Sequence, residues 1–267
     1  MKNKNTHLSR EHIAYLRKIR NNKITVHVSR ALILLAILGI WELCAYTEVI
    51  DPFITSSPSR ICITLASLSG DGSLFYNVGV TLMETLVGFI IAVVLGYAVA
   101  IILWANDTIS KVLEPYIVVL NSLPKIALGP MIIIWIGTGY TSIIFMTVIV
   151  AVIVCIMNTL AGFMAVDPTK LLLMKSMGAN KAVTLIKLII PSSLPALMNT
   201  LKVAVGLAWI GSVMGEYISS RAGLGNMINY GRQVLNLDLV MTSIVVLCVL
   251  AGGMYGIIAL IEKKVVK

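Results

Sequence analysis

The sequence predicts an all-α polytopic membrane protein, and three observations support that class. Of the 267 residues, 58% are hydrophobic and only 12% are charged. The mean hydropathy of +0.94 lies well outside the balance of a soluble domain. Helices of about 20 apolar residues cross the hydrocarbon core, and six runs approach or exceed that length: 31–50, 78–104, 116–136, 141–163, 194–214 and 239–261. Because lipid satisfies no backbone polar group and no alternating barrel pattern is present, these runs must be helices.

The distribution of lysine and arginine predicts the orientation of these six helices. Positive residues are retained on the cytoplasmic side of a membrane. With the N-terminus inside, most of the 21 Lys and Arg residues, including Lys111 and Lys202, belong to cytoplasmic segments. Only Arg60, Arg221 and Arg232 fall in outer segments, and Lys125 falls within a span. We therefore expect both termini in the cytoplasm, and we interpret the net charge of +9 as a topology signal.

Two domains follow from this pattern. Residues 1–30 form a basic cytoplasmic arm, which either lies along the membrane as an amphipathic helix or is a solvated tail. Residues 31–267 form the six-helix transmembrane domain. Within it, Pro124 and Pro130 are expected to kink the third span, since each proline removes a backbone hydrogen bond. The outer segment 215–238 is expected to be a re-entrant or extracytoplasmic structure and a candidate contact surface.

Ionisable residues within spans are candidates for a solute path, because their burial in lipid is costly unless they face a cavity or a partner. Glu42, Glu84 and Lys125 belong to this group. Glu84 and Lys125, with Asn121 and Ser122 as polar neighbours, either line a translocation path or form a structural ion pair. The four cysteines and three histidines show no spacing typical of a metal site.

The segment 167–191 is the longest connection on the predicted cytoplasmic side. Asp167 and Pro168 are typical of a helix start, and Gly178 is typical of a left-handed helix stop. The intervening helix, expected to end at Met177, is about 15 Å long and too short to cross a bilayer. Asn180 then caps a second helix that leads into the fifth span. We expect an exposed apolar and basic surface that docks a partner.

The same segment resembles a known motif. The motif consists of a glycine, nine further residues, and then an aliphatic residue, any residue, an aliphatic residue and a proline. It is matched by Gly178, Leu188, Ile190 and Pro191. This pattern is similar to the coupling-helix motif of the permease subunits of binding-protein-dependent ABC importers. The resemblance extends over residues 58–262 and includes TLMETLVGF, LPKIALGP and GEYISSRAGLG. It favours the nitrate, sulfonate and taurine branch, particularly importers of thiamine pyrimidine precursors or riboflavin.

The resemblance implies a type I ABC importer permease fold in a bacterial cell membrane. It implies two cytoplasmic ATPase subunits that bind ATP and magnesium, an extracytoplasmic binding protein, and a second permease copy, commonly in a homodimer. The implied ATPase-docking residues are Lys170, Leu173, Met174, Lys175, Ser176, Met177, Gly178, Ala179 and Asn180. The family motif usually opens with Glu-Ala-Ala, whereas this chain has Leu172, Leu173 and Met174, so the carboxylate contact of that motif is not carried over.

The chain is not expected to be an enzyme or to bind a cofactor itself. No G-x-x-x-x-G-K-[ST] phosphate loop is present, so ATP would be hydrolysed by a separate subunit. All three histidines precede the first span, and no catalytic cluster is assembled. The alternative is a secondary transporter or channel that works without an ATPase. Secondary transporters commonly contain inverted repeats, and none is visible in this sequence.

Overall fold

The computed structural model describes residues 10–265, and all regular structure in that range is helical. The helices are α1 (Arg10–Tyr46), α2 (Pro52–Thr55), α3 (Pro58–Gly70), α4 (Ser73–Ala105), α5 (Asp107–Ser122), α6 (Gly129–Ile136), α7 (Tyr140–Met164), α8 (Pro168–Ser176), α9 (Lys181–Thr184), α10 (Ile190–Ser219), α11 (Leu224–Gln233) and α12 (Leu237–Val265). A 3₁₀ turn, Lys125–Leu128, precedes α6, and a π-helical turn, Leu185–Ile189, joins α9 to α10.

The described helices confirm the predicted all-α class and the membrane character of the chain. Five helical segments within residues 10–265 are long and apolar enough to cross a membrane, and there are six if one bent pair is a single span. The bent pair is Asp107–Ser122 with Lys125–Ile136, which meet at 81°. Pro124 lies at this break, as the predicted kink requires. Pro130 instead occupies the first turn of α6, where a proline needs no hydrogen-bond partner.

The first of two compact units ends at Cys62. Residues 1–9 of the predicted basic arm lie outside the described residues, while α1 continues without a break from Arg10 through the first candidate span. Glu42 accepts hydrogen bonds from the backbone N–H of Ser59, at 3.0 Å, and from its hydroxyl, at 2.7 Å. Glu42 therefore stabilises the start of α3 within this unit.

The second unit begins at Ile63, and its centre is the packing of α7 against α4 and α10. Glycines permit the close approach of these helices. A Cβ atom added to Gly211 of α10 would lie 2.6 Å from the Cα atom of Thr147 on α7, and one added to Gly96 of α4 would lie 2.5 Å from the Cβ atom of Cys155. Any larger side chain at either position would force the helices apart.

The structure corrects the placement of Lys202 and shows the local structure of the predicted outer segment 215–238. Lys202 does not belong to a cytoplasmic loop: it lies within α10 and forms an ion pair with Glu262 of α12. The outer segment 215–238 is largely helical, because α10 extends to Ser219 and α11 follows after a short turn. The apolar side chains of Leu224 and Met227 on α11 pack against Leu74 and Leu239. This segment is thus an integral part of the second unit.

Hydrogen bonds define two ends of the second unit. At the first, which we call the α8 end, the Lys181 ammonium group donates to the backbone oxygen of Ala105, the last residue of α4, at 2.8 Å. At the second, the cavity end, the backbone N–H of Gly223 donates to the Asn77 side chain, near the start of α4, at 2.7 Å. The two ends therefore lie at opposite ends of α4, a helix of 33 residues.

Candidate functional site

The start of α8 is fixed by the residues that the sequence indicates. The side chain of Asp167 accepts a hydrogen bond from the backbone N–H of Thr169 at 2.8 Å, and Pro168 occupies the first turn. The backbone and hydroxyl of Thr169 hold the pKa of Asp167 below its ordinary value of 3.8. This carboxylate is therefore an ionised cap at neutral pH, and it favours the helix N-terminus electrostatically.

The end of α8 confirms the predicted glycine turn. Gly178 has φ +75°, the left-handed conformation that glycine adopts at low cost. The N–H groups of Gly178 and Ala179 donate to the carbonyl oxygens of Lys175 and Met174, both at 3.0 Å, so the last turn is closed. The Asn180 side chain then accepts from the N–H of Val183 at 2.8 Å and starts α9 as predicted. Helix α8 itself ends at Ser176, one residue earlier than expected.

The connection from α9 into the fifth span is continuous and contains a π-helical turn immediately before Pro191. A proline lacks the N–H that would bond to the carbonyl group four residues earlier, here that of Lys187, and its ring clashes with that group. The wider π turn accommodates both effects. The helical segment Lys181–Ser219 is therefore a single candidate span that begins beside α8.

One face of α8 is anchored and another is free. On the anchored side, Leu171 packs with Leu185 and Leu188 against a buried cluster that includes Phe163 and Ile189. On the free side, Leu172, Leu173 and Met177 are 65%, 60% and 73% exposed. Exposed apolar groups of this size on one short helix are typical of an interaction surface. We call these three side chains the α8 apolar face.

The predicted docking residues are distributed over this segment as follows. Lys170, Leu173, Lys175, Ser176, Met177, Gly178 and Asn180 are exposed, whereas Met174 and Ala179 are half-buried. Leu172 is as exposed as Leu173, although the sequence interpretation treated it only as a departure from the family motif.

At the cavity end, the structure brings together two carboxyl groups from distant parts of the chain. Glu84 of α4 and Glu216 of α10 are 0% and 1% exposed and are in electrostatic contact with each other. Among the described residues, the Glu216 carboxyl group is the hydrogen-bond partner of Glu84. Glu84 and Lys125 therefore do not form the ion pair that the sequence left open.

Glu216 organises the turn that precedes α11. Its carboxylate accepts a hydrogen bond from the N–H of Gly225 at 2.6 Å, and Thr81 accepts one from the N–H of Leu224 at 2.8 Å. Gly223 has φ +104°, and a Cβ atom there would lie 2.4 Å from the carboxyl carbon of Glu216. The sequence interpretation placed Glu216 in an outer loop. Glu216 lies four residues after Ser212 and eight residues after Ala208, which are both buried on α10. This spacing indicates that the three residues share one face of a helix.

The remaining predicted path residues lie apart from Glu84. The Lys125 ammonium group donates to the backbone oxygen of Asn121 at 3.0 Å and to its side-chain oxygen at 3.3 Å. Ser122 donates to the backbone oxygen of Val118 at 3.0 Å. Lys125 lines a groove of about 310 Å³ beside α7 and α10, whereas Glu84 lines a different cavity. The four residues therefore do not form one site.

The family of the chain is established by comparison with protein families. Residues 53–267 match the family described as "Binding-protein-dependent transport system inner membrane component". The chain belongs to this family, and it is the membrane-spanning permease subunit of an ABC importer for a small solute. Among residues 10–265, no group of three or more His, Cys, Asp or Glu residues is placed to hold a metal ion.

Individual relatives agree with this assignment. The taurine transport system permease protein TauC of Escherichia coli is 27% identical, over 82% of this chain and 81% of its own length. The formylaminopyrimidine transport permease protein ThiX of Halalkalibacterium halodurans is 29% identical, over 73% of this chain and 77% of its own length. Other matching permeases are named for aliphatic sulfonates, riboflavin and nitrate.

A solved structure supports the fold. An inward-facing MetNI methionine ABC transporter contains a chain with a TM-score of 0.64 and 21% identity, covering 71% of this chain and 94% of that one. The predicted ABC importer permease fold is therefore confirmed.

Proposed function

We propose that this permease works as a homodimer with two cytoplasmic ATPase subunits and one extracytoplasmic binding protein. The ATPase subunits bind ATP and magnesium and perform the hydrolysis, while the permease conducts the solute. This proposal places α8 and both termini in the cytoplasm, in agreement with the charge distribution of the sequence. The phosphate loop that this chain lacks would then reside in the partner.

The observation that carries this proposal is the α8 apolar face. Leu172 and Leu173 are exposed on a helix of nine residues, which is too short to enter a bilayer as a span, and Met177 is exposed directly after it. Lys170 and Lys175 flank them as exposed cations. An ATPase groove of mixed apolar and acidic character fits such a surface, and docking would remove the apolar side chains from water.

The anchored face of α8 provides the route by which ATPase movement reaches the membrane helices. Leu171 joins the buried cluster with Phe163 of α7, and Lys181 is bonded to the end of α4. The π turn connects the same segment to α10. A displacement of α8 would therefore be transmitted to all three central helices, and alternating access follows if ATP binding favours one of two packing arrangements.

The solute path is proposed to pass Glu84 at the cavity end and Lys125, Asn121 and Ser122 at the groove beside α7. The two sites lie on different helices, so a solute would meet them one after the other. The relatives are named for taurine, aliphatic sulfonates, nitrate, riboflavin and formylaminopyrimidine. We propose a solute of this size class, delivered by the binding protein.

Co-purification tests the docking proposal. The chain is expressed with candidate ATPase subunits encoded beside it, and the ATPase retained by the tagged permease is measured. Leu173→Asp places a charge in the α8 apolar face and is expected to reduce the retained ATPase about tenfold or more, since a buried leucine contributes about 1.5–3 kcal/mol.

The matched control is Val234→Asp. Val234 is 50% exposed and follows α11 at the cavity end, so the same change there should leave ATPase retention unaltered. Equal retention by wild type and Leu173→Asp would contradict docking on α8. Solute uptake that persists in cells without any ABC ATPase would instead favour the secondary transporter or channel.

A further inference from the structure

Two carboxyl groups meet in the interior of the second unit. Glu84 and Glu216 are 0% and 1% exposed, and each is the hydrogen-bond partner of the other. Among the described residues, no lysine or arginine forms an ion pair with either group. Two carboxylate charges in contact, without water or a counter-ion, would strongly oppose folding. Because an ionised carboxylate only accepts hydrogen bonds, the contact between the two groups requires a proton.

The surroundings of the two groups indicate which of them carries this proton. The Glu216 carboxylate accepts a hydrogen bond from the backbone N–H of Gly225 at 2.6 Å. An N–H donor stabilises the ionised form of a carboxyl group. No N–H group of the described residues donates to either oxygen of Glu84. Glu84 is therefore the neutral donor of the pair, and Glu216 is the ionised acceptor.

The pair belongs to a row of contacts that fastens the turn before α11 to α4. Asn77, Thr81 and Glu84 are separated by four and three residues, so they share one face of α4. The first two N–H groups of residues 223–225 donate directly to Asn77 and Thr81, at 2.7 and 2.8 Å. The third donates to Glu216, the partner of Glu84. Three successive N–H groups are thus held along one face of α4, and the third is held through the carboxyl pair.

The same turn forms one wall of a cavity of about 440 Å³. Residues 219–222 line this cavity together with Tyr76 and Tyr140. Glu84 borders the cavity, but its oxygens expose no surface to it. The other ionisable groups of the lining are Arg221 and the two tyrosines, which are neutral at pH 7, and Tyr140 is in electrostatic contact with Glu84. The proton is therefore sheltered behind the wall whose position it helps to fix.

We propose that Glu84 and Glu216 form a proton-binding site, in which Glu84 carries one bound proton and donates it in a hydrogen bond to the Glu216 carboxylate. The bound proton links α4 to α10 and, through Glu216, holds residues 223–225. Glu84 is thus a positioning residue for the cavity wall. The inference goes beyond the proposed function, because it concerns the permease chain alone and holds or fails independently of ATPase docking.

Infrared spectroscopy of the full-length permease in lipid nanodiscs at neutral pH tests the bound proton. Isotopic labelling of the glutamate side-chain carboxyl carbon identifies their bands, and a protonated carboxyl group absorbs at a different frequency from a carboxylate. Wild type is expected to show one protonated glutamate per chain. Glu84→Gln should remove this band, whereas Glu216→Gln should retain it, since Glu84 then stays neutral. Glu114→Gln, at an exposed position on α5, is the control and should also retain it.

Two results would overturn the proton site. One is a wild-type spectrum in which every labelled glutamate is ionised. The other is a band of protonated glutamate that survives Glu84→Gln or is lost in Glu216→Gln, which would contradict the placement of the proton on Glu84.

Hydrogen exchange of the backbone N–H groups of residues 223–225 tests the positioning role. Glu84→Gln keeps an N–H donor for the Glu216 carboxylate and should retain wild-type exchange. Glu84→Met is similar in length but has no donor, so exchange should rise about tenfold, as expected for the loss of one hydrogen bond. Equal exchange in the two variants would show that packing alone positions the turn. If Glu84→Met does not assemble, the infrared spectra of wild type and Glu84→Gln still decide.

Discussion

The two ends of the second unit use polar and apolar groups in opposite ways. At the α8 end, the apolar side chains of Leu173 and Met177 are exposed, while short-range caps satisfy the backbone. At the cavity end, the carboxyl groups of Glu84 and Glu216 lie in the interior. The exposed apolar side chains of the α8 end are the basis of the docking surface that we propose there. The paired carboxyl groups of the cavity end instead satisfy each other within the chain.

The difference also explains what the sequence was able to predict. The caps and the glycine turn of the α8 end are built from contacts within a few residues: Asp167 with Thr169, Gly178 with Lys175, and Asn180 with Val183. Such local contacts have recognisable signatures in the sequence. The cavity end depends on the contact between Gly223 and Asn77, which are 146 residues apart. No local pattern indicates which distant residues a helix packing will bring together.

The spans themselves were predictable for a similar reason. Apolar length alone determines whether a helix can cross the bilayer, and five of the six predicted runs correspond to single candidate spans, while the run 116–136 falls on the bent pair of helices. The surroundings of charged residues along a span were harder to predict from the sequence. Lys202 is placed by its tertiary partner Glu262, and Glu216 by the turn that it holds, so neither follows from hydropathy or from the positive-inside rule.

The largest expected difference between the two ends is in stability. Gly223→Ala places a Cβ atom against the Glu216 carboxyl group in a conformation with φ +104°. Strain and the disturbed hydrogen bond should together cost about 2–5 kcal/mol. Gly178→Ala has φ +75° and nothing within 4 Å of the new atom, and it should cost only about 1–2 kcal/mol. The measurement is the Tm of the purified permease in detergent. Equal losses of Tm would show that the cavity end is not the more constrained region.

A second comparison of the two ends concerns solute uptake rather than stability, and it uses valine in place of glycine. Gly178→Val and Gly72→Val introduce the same group at nearly the same φ, +75° and +76°, with open space around both. Only Gly178 adjoins the α8 apolar face. Uptake by membranes with matched amounts of permease should fall about tenfold or more for Gly178→Val. A change of this size corresponds to the loss of a typical coupling free energy between two sites. Gly72→Val should remain close to wild type, and similar uptake by the two variants would argue against coupling through α8.

The most direct test of the account is cross-linking between α8 and an ATPase subunit in intact membranes. Met177→Cys is made in a permease whose natural cysteines, Cys44, Cys62, Cys155 and Cys248, are replaced. Met177 is 73% exposed, and Phe75, the control position at the cavity end, is 67% exposed. A short bifunctional thiol reagent is expected to join Met177→Cys to the ATPase, with a yield that changes on ATP binding, and to leave Phe75→Cys unlinked. Absence of the Met177→Cys product in membranes that still show ATP-dependent uptake would contradict the central claim.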